Sequence, residues 1–178
     1  KLSSIAGAGA GAVRSNGRFI AYYNYARIEN NIQSVITKIN QHIPQESKYT
    51  VDTNKDGIEY PVTINVFSSV AGGTGSGMLV DTLCLVNKAM DALALQFDLY
   101  PWIVLPEIFK ALNSGPAMAN VLYNSYGALR SLDYIQHLNP VQPAINFGYT
   151  KIEERLFRYA YLINNLNQAG VAFNKLDD

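Results

Sequence analysis

The sequence predicts an α/β fold in which a parallel sheet is flanked by helices. Short runs rich in β-branched residues alternate along the chain with helical patterns longer than about ten residues. Connections of this length bring successive strands side by side in the same direction. A glycine-rich turn joins the strand predicted at 60–70 to the helix that follows it. Hydrophobic residues make up 48% of the chain and charged residues 16%, which is typical of a folded domain.

The first half of the chain is predicted to contain a long helix, a strand and a second helix. Apolar residues recur at spacings of three and four between 16 and 42, which indicates one continuous helix that ends before Pro44. Residues 60–70 alternate between β-branched and polar side chains, which indicates a strand. The next helix is predicted from Gly77 to about Leu95.

Two side chains of that helix have more than one interpretation. Asp81 is expected near the first turn, where a carboxylate compensates the helix dipole, and a water-mediated metal contact is the alternative. Cys84 is the only cysteine, so we expect a buried thiol rather than a reactive one or a disulfide within the chain. Such cysteine usage fits the reducing cytoplasm.

The second half of the chain repeats the alternation. Residues 100–105 are predicted to form a strand, and Pro116 to about Gln136 a helix with proline in its first turn. A loop or short hairpin is predicted at 139–149 and a third strand at 156–163. Three strands are few for a doubly wound sheet, so we expect residues 1–178 to form a single, incomplete domain.

The turn between the first strand and its helix has the composition of a phosphate-binding loop. Glycines let backbone N–H groups approach an anion, and the start of the helix adds unpaired donors and the positive end of its dipole. Hydroxyl side chains supply further donors. The loop consists of Ala71, Gly72, Gly73, Thr74, Gly75, Ser76, Gly77 and Met78.

The sequence disfavours several other classes of binding site and partner. The P-loop pattern requires a lysine after its last glycine, and no lysine lies near Gly77. The dinucleotide fingerprint fails because Gly73, Gly75 and Gly77 are two residues apart. The acidic residue expected about 20 residues later is also lacking, since Asp98 is expected to follow a helix and not a second strand, which disfavours an oxidoreductase. The net charge of +0 argues against a nucleic-acid partner. No apolar run approaches the roughly 20 residues that span a bilayer, so we expect no membrane span.

A second loop rich in small residues, 7–18, precedes the first helix and carries Arg14 and Arg18. One interpretation is a flexible tail. The other is a loop that closes over phosphate groups, with a basic side chain reaching the charge.

The two loops together resemble the tubulin/FtsZ superfamily. Its signature reads Gly-Gly-Gly-Thr-Gly-Ser/Thr-Gly, and residues 71–77 match it with Ala71 in place of the first glycine. The Gly-Ala-Gly loop of the family, which ends in Gly-Arg or Gly-His, is matched by residues 9–18 with an FtsZ-like Arg18. Residues 161–165 resemble the family's strand that ends in an Asp-Asn pair, where the Asn reads guanine. The variants are most similar to bacterial tubulin-like proteins other than FtsZ.

This resemblance implies a tubulin/FtsZ-type nucleotide-binding domain whose full-length protein binds GTP or GDP and assembles into filaments. Mg²⁺ is expected wherever a nucleoside triphosphate is bound. Tyr123-Asn124 matches a pair in a family helix, whereas Val121 stands where the family has an acidic ribose contact. The implied nucleotide contacts are Gly9, Ala10, Gly11, Arg18, Ala71, Gly72, Gly73, Thr74, Gly75, Ser76, Gly77 and Asn165.

The resemblance also implies how hydrolysis would be completed. The acidic loop with which the family activates the attacking water has no counterpart in this sequence, so a GTPase reaction is expected to need an adjacent subunit of a homo-oligomer or filament. The substitution at Ala71 and the missing elements leave an alternative open. In it, the chain is a degenerate family member that acts as a scaffold or interaction module without GTPase activity.

Overall fold

The computed structural model describes residues 10–43, 62–109, 115–138, 145–147, 150–152 and 155–166. A helix separates each strand of the parallel sheet from the next one along the chain, as an α/β fold requires. In chain order the elements are α1 (Arg14–Tyr23), α2 (Tyr25–His42), β1 (Val62–Ser69), α3 (Gly73–Ala92), β2 (Phe97–Val104), a 3-10 helix (Pro106–Phe109), α4 (Pro116–Gln136), β3 (Ile145–Phe147), β4 (Thr150–Ile152) and β5 (Tyr161–Ile163).

Three of the strands form a parallel sheet in the order β1-β2-β5. β1 pairs with β2 along its whole length, from Val62 opposite Phe97 to Ser69 opposite Val104. β5 adds a shorter edge beside the end of β2. A separate antiparallel pair, β3 and β4, forms near the predicted hairpin. The parallel sheet flanked by helices confirms the fold class that the sequence predicts.

The core lies between one face of this sheet and helix α3. Leu83 and Met90 of α3 are fully buried, as is Ile103 of β2. α4 adds Ala128 and Ile135 to the same cluster. Met90 is therefore a core residue, and α3 packs an apolar side into this cluster.

The opposite face of the sheet carries a row of aromatic rings, one from each strand. Trp102 of β2 stacks on Tyr161 of β5, with ring centroids 4.3 Å apart, and on Phe67 of β1 at 5.6 Å. The indole Nε1 of Trp102 donates a hydrogen bond of 2.8 Å to Asn65 Oδ1. Because neighbours in a strand alternate between faces, these rings point away from the core that holds Ile103.

The single helix predicted at 16–42 is wrong, because the chain forms two helices that meet at Asn24. Asn24 has φ −100° and ψ 13°, outside the helical values. Its side-chain Nδ2 donates to Ile20 O at 2.9 Å. An Asn side chain that bonds nearby backbone in this way competes with continuation of the helix.

The third strand is shorter than the range predicted at 156–163. Pairing with β2 is confined to Tyr161–Ile163. Leu156 and Phe157 precede it without strand structure, and both are buried in the core cluster. Their apolar side chains produced the longer prediction, although they pack as an irregular segment.

Candidate anion-binding site

A pocket of about 430 Å³ lies beyond the carboxyl end of β1, where α/β folds commonly bind ligands. It brings together the two loops that the sequence singles out. Its walls are formed by Ala10, Gly11, Ala12, Ser69, Ala71, Gly72, Gly73, Thr74, Gly75, Phe109 and Val121. None of these residues, in the part of the chain that the structure describes, carries a charged side chain.

Helix α3 begins inside the glycine loop, at Gly73, and not at the predicted Gly77. Gly72 is its N-cap, with φ −86° and ψ 160°, and no side chain caps the helix there. The first backbone bond of the helix runs from Ser76 N to Gly72 O, at 3.2 Å. The N–H groups of Gly73, Thr74 and Gly75 therefore have no acceptor within their own helix.

Three glycines allow α1 and α3 to approach backbone to backbone. A Cβ atom on Gly17 or Gly77 would lie within 3.0 Å of the main chain of the facing helix. A Cβ on Gly73 would come equally close to Val13, just before α1. Real Cβ atoms essentially never make such contacts. Much of the glycine content of the signature therefore serves the packing of these two helices.

The other two glycines of this loop, Gly72 and Gly75, have different surroundings. A Cβ on Gly75 would collide with the carbonyl of Ser69 at the end of β1. A Cβ on Gly72 would meet nothing within 4 Å. Gly72 is thus the glycine of this loop whose missing side chain leaves open space at the pocket wall.

The upstream loop makes a tight turn beside it. Val13 N donates to Ala10 O at 3.1 Å, and the two residues between them, Gly11 and Ala12, both have φ of 56°. Two successive positive φ values define a type I′ turn. Gly9, which the sequence assigns to the same loop, lies outside the described residues.

The two hydroxyl residues of the glycine loop have different environments. Thr74 is exposed and lines the pocket. Ser76 is 1% exposed, and its Oγ donates to Gly72 O at 2.6 Å. The hydroxyl of Ser76 is therefore used within the helix, whereas Thr74 lies in the pocket wall.

Arg18 pairs with Asp81 and does not line the pocket. Arg18 Nε lies 3.7 Å from Asp81 Oδ2, and the Asp81 side chain is 5% exposed. Because α3 begins at Gly73, Asp81 lies well beyond its first turn. The predicted dipole compensation is wrong, since that effect falls off within the first turn. Asp81 instead joins α3 to α1.

Arg14 joins three helices beneath the pocket. Its Nε donates to Ser76 O at 3.2 Å, and its Nη2 donates to Ser131 Oγ of α4 at 2.9 Å. Burial lowers the pKa of the Arg14 guanidinium, and neighbouring Arg18 lowers it further, whereas Asp81 raises it. Arginine stays protonated in proteins, so a half-buried positive charge remains behind the glycine loop.

Asn124 of α4 is a residue of the site that the list of predicted contacts omits. Its side chain is buried and bonds the main chain of both loops: Oδ1 accepts from Arg14 N at 3.0 Å, and Nδ2 donates to Ala12 O and Ala71 O at 2.9 and 3.0 Å. The signal in the sequence is the Tyr123-Asn124 pair, which matches a family helix but is given no role among the implied nucleotide contacts.

The predicted contacts thus fall into two groups. Those that line the pocket are Ala10, Gly11, Ala71, Gly72, Gly73, Thr74 and Gly75. Arg18, Ser76, Gly77 and Asn165 lie elsewhere. Asn165 follows β5 and is half-buried, and its N–H donates to Asn164 Oδ1 at 2.8 Å.

No group of three or more metal-binding side chains occurs among the residues described. Mg²⁺ is therefore not assigned to any side chain. None of the helices that the structure describes is both long and apolar enough to cross a membrane.

A parallel sheet whose glycine-rich turn opens a pocket at a helix N-terminus defines an α/β protein of the Rossmann-like class. Within that class, a model of the tubulin-like family matches residues 1–178, so the chain belongs to the tubulin-like family. This match confirms the family that the two loop motifs indicate. No curated protein and no solved structure matches the chain.

Proposed function

We propose that the chain binds a guanine nucleotide, GTP or GDP, with the phosphate groups in the pocket between the two glycine-containing loops. The observation that carries this proposal is the start of α3 inside the pocket wall. The N–H groups of Gly73 and Thr74 have no acceptor in their helix, and the positive end of the helix dipole favours an anion beside them. Membership in the tubulin-like family, which generally binds GTP, supports the choice of guanine.

The lining of the pocket suits a phosphate group. The described residues that form it include no carboxylate that would repel an anion. The Thr74 hydroxyl offers one further donor, and the open space beside Gly72 allows a phosphate oxygen to approach the backbone. A volume of about 430 Å³ is ordinary for a small-molecule site.

Binding of labelled GTP to Thr74→Ala and Gly72→Val tests this proposal. Thr74→Ala removes a donor, and we expect about a tenfold weaker affinity. Gly72→Val places a branched side chain in the open space, and its backbone angles suit valine, so we expect binding to be lost without unfolding. The matched control is Thr82→Ala, the same chemical change on the same helix outside the pocket. Equal affinity of all variants for GTP would overturn the assignment.

We further propose that the protein self-assembles and that an adjacent subunit completes GTP hydrolysis. Phosphoryl transfer needs a group that orients the attacking water, and no described residue of the pocket supplies a carboxylate for this. The rate of phosphate release per subunit should therefore rise with protein concentration, in parallel with assembly measured by sedimentation. A rate per subunit that is independent of concentration, in a protein that stays monomeric, would contradict the proposal.

A scaffold without nucleotide is the second candidate, and Ala71 is the observation that favours it. This residue replaces a glycine of the family signature and lies in the pocket wall, 4% exposed. Its methyl group occupies space that is bare backbone in the signature. Nucleotide content after mild purification separates the candidates. Protein that oligomerises but neither carries nor binds GTP or GDP would support the scaffold and exclude the nucleotide site.

A further inference from the structure

We propose that Asn124 is the positioning residue of the pocket: it fixes the two loops against each other and thereby sets their affinity for phosphate without touching the ligand. The inference rests on the proposed function, because it concerns the same pocket. Asn124 does not line that pocket, and only 5% of its surface is exposed.

The side chain of Asn124 bonds the main chain through its oxygen and through both hydrogens of its amide nitrogen. Its oxygen accepts from Arg14 N, and its two amide hydrogens reach Ala12 O and Ala71 O, all between 2.9 and 3.0 Å. Ala12 and Ala71 belong to different loops, and each lines the pocket. One buried amide therefore joins both walls of the pocket. A displacement of either loop would leave a donor of Asn124 buried and unpaired, which costs free energy.

The first of these bonds also caps helix α1. Val13, the N-cap residue of that helix, makes no side-chain capping bond. Oδ1 of Asn124 takes that place by accepting the N–H of Arg14, the first residue of the helix. The start of α1, and with it the left-handed turn at Ala12, is thus held by a side chain from α4.

The other two bonds hold carbonyl oxygens that would oppose an anion. Ala12 O and Ala71 O both belong to pocket-lining residues, and an unpaired carbonyl oxygen turned into the pocket would repel phosphate. While Asn124 holds Ala71 O, the N–H of Gly72 in the same planar peptide points the opposite way, away from Asn124. The orientation of the peptide groups, rather than a direct contact, is what Asn124 contributes.

Ser125 provides a matched control on the next position of α4. It is 3% exposed, and its one hydroxyl hydrogen is shared between Val121 O at 2.8 Å and Val70 O at 3.2 Å. It therefore bonds the glycine-loop side of the pocket from an equally buried position, without reaching the upstream loop. A merely structural role would make its loss comparable to that of Asn124.

The experiment compares the full chain as wild type, Asn124→Ala, Asn124→Asp and Ser125→Ala. The affinity for GTP and for inorganic triphosphate is measured by calorimetry, and hydrogen–deuterium exchange of 10–13 and 70–75 is measured without ligand. Asn124→Asp keeps the shape and the oxygen of the side chain and removes its two donors, so it serves if Asn124→Ala fails to fold. We expect about a tenfold loss of affinity for both ligands in the Asn124 variants and less than about a threefold loss in Ser125→Ala.

Hydrogen–deuterium exchange without ligand tests whether Asn124 joins the loops independently of nucleotide binding. Asn124→Ala or Asn124→Asp should speed exchange in both segments, whereas Ser125→Ala should affect 70–75 alone. Similar losses of affinity in the Asn124 and Ser125 variants, or unchanged exchange at 10–13, would overturn the role of Asn124. If wild type binds neither GTP nor triphosphate, the proposed function fails and so does the effect on affinity. The exchange at 10–13 then decides on its own whether Asn124 joins the loops.

Discussion

Gly77 and Gly72 look alike in the sequence, yet they face different surroundings. Gly77 lies against the backbone of Arg14 and Arg18, and Gly72 borders open space. No sequence pattern separates them, because a glycine that accommodates a ligand and one that accommodates a neighbouring helix are the same residue. The sequence could therefore predict the loop, but not which of its glycines serve the pocket.

Gly77→Ala is expected to destabilise the protein by about 1 to 3 kcal/mol. Alanine stabilises a helix by about 1 kcal/mol relative to glycine. A net loss of stability therefore means that the close contact with α1 outweighs this difference in helix propensity. Gly72→Ala is the control, and we expect a change below about 1 kcal/mol there. Urea unfolding measures both. A Gly77→Ala variant as stable as wild type would contradict the backbone contact between the helices.

Cys84 is expected to resist thiol reagents in the folded protein. The residue is 1% exposed, and burial, followed by the negative charge of Asp81, raises the pKa of its thiol to about 12. The thiolate is the reactive form, so at about pH 8 the native protein should react far more slowly than the protein in urea. Rapid modification of native protein by a chromogenic disulfide would show that the helix opens readily.

The same thiol makes stability depend on pH. Its pKa is higher in the folded state than the ordinary value of 9.0, so the folded protein holds the proton more tightly. The contribution to stability is complete below about pH 9 and is lost as the pH rises toward 12. Wild type should therefore lose unfolding free energy more steeply than Cys84→Ala between about pH 9 and pH 12. Parallel curves for the two proteins would argue against the raised pKa.

Between elements, the contact of α2 with α3 includes a charged pair. Lys88 Nζ lies 2.6 Å from Glu29 Oε1 and donates to Tyr25 Oη at 3.0 Å. The hydrogen bond to Glu29, and then that to Tyr25, raises the pKa of Lys88. The pair is accessible to water, so its effect is small despite the short distance.

A double-mutant cycle of Lys88→Met and Glu29→Gln should give a coupling free energy of about 0.2 to 1 kcal/mol. Concentrated salt should reduce it, because exposed charges are screened. Urea unfolding of the four proteins in low and high salt measures the coupling. A coupling that is large and insensitive to salt would indicate that the pair is buried when α2 docks on α3.

The boundaries of helices show where sequence reasoning succeeds and fails. Pro116 fixes the start of α4 in both prediction and structure, because proline favours the first turn and needs no N–H there. Asn24 divides α1 from α2 through a local hydrogen bond that apolar spacing does not reveal. α3 begins early, at Gly73, because glycines that look like a loop are held helical by the contact with α1.

For the whole molecule, ligand binding should raise stability by mass action. At a free concentration about 100 times its dissociation constant, GTP should add about 2.7 kcal/mol to the free energy of unfolding. For a chain of this length that corresponds to a rise in Tm of about 5 to 10 °C. Thermal unfolding with GTP, with ATP and without nucleotide tests it. We expect the smaller shift with ATP, and equal shifts would contradict recognition of guanine.

The row of rings across the sheet gives the molecule a built-in optical probe. Trp102 is the only tryptophan of the chain, and it is enclosed between Tyr161 and Phe67, one ring from each neighbouring strand. Its emission therefore comes from one place, where all three parallel strands meet side by side. If β5 separates from β2 while the helices persist, fluorescence changes before far-ultraviolet circular dichroism does. The order of these two signals during unfolding reports whether the sheet or the helices lose their structure first.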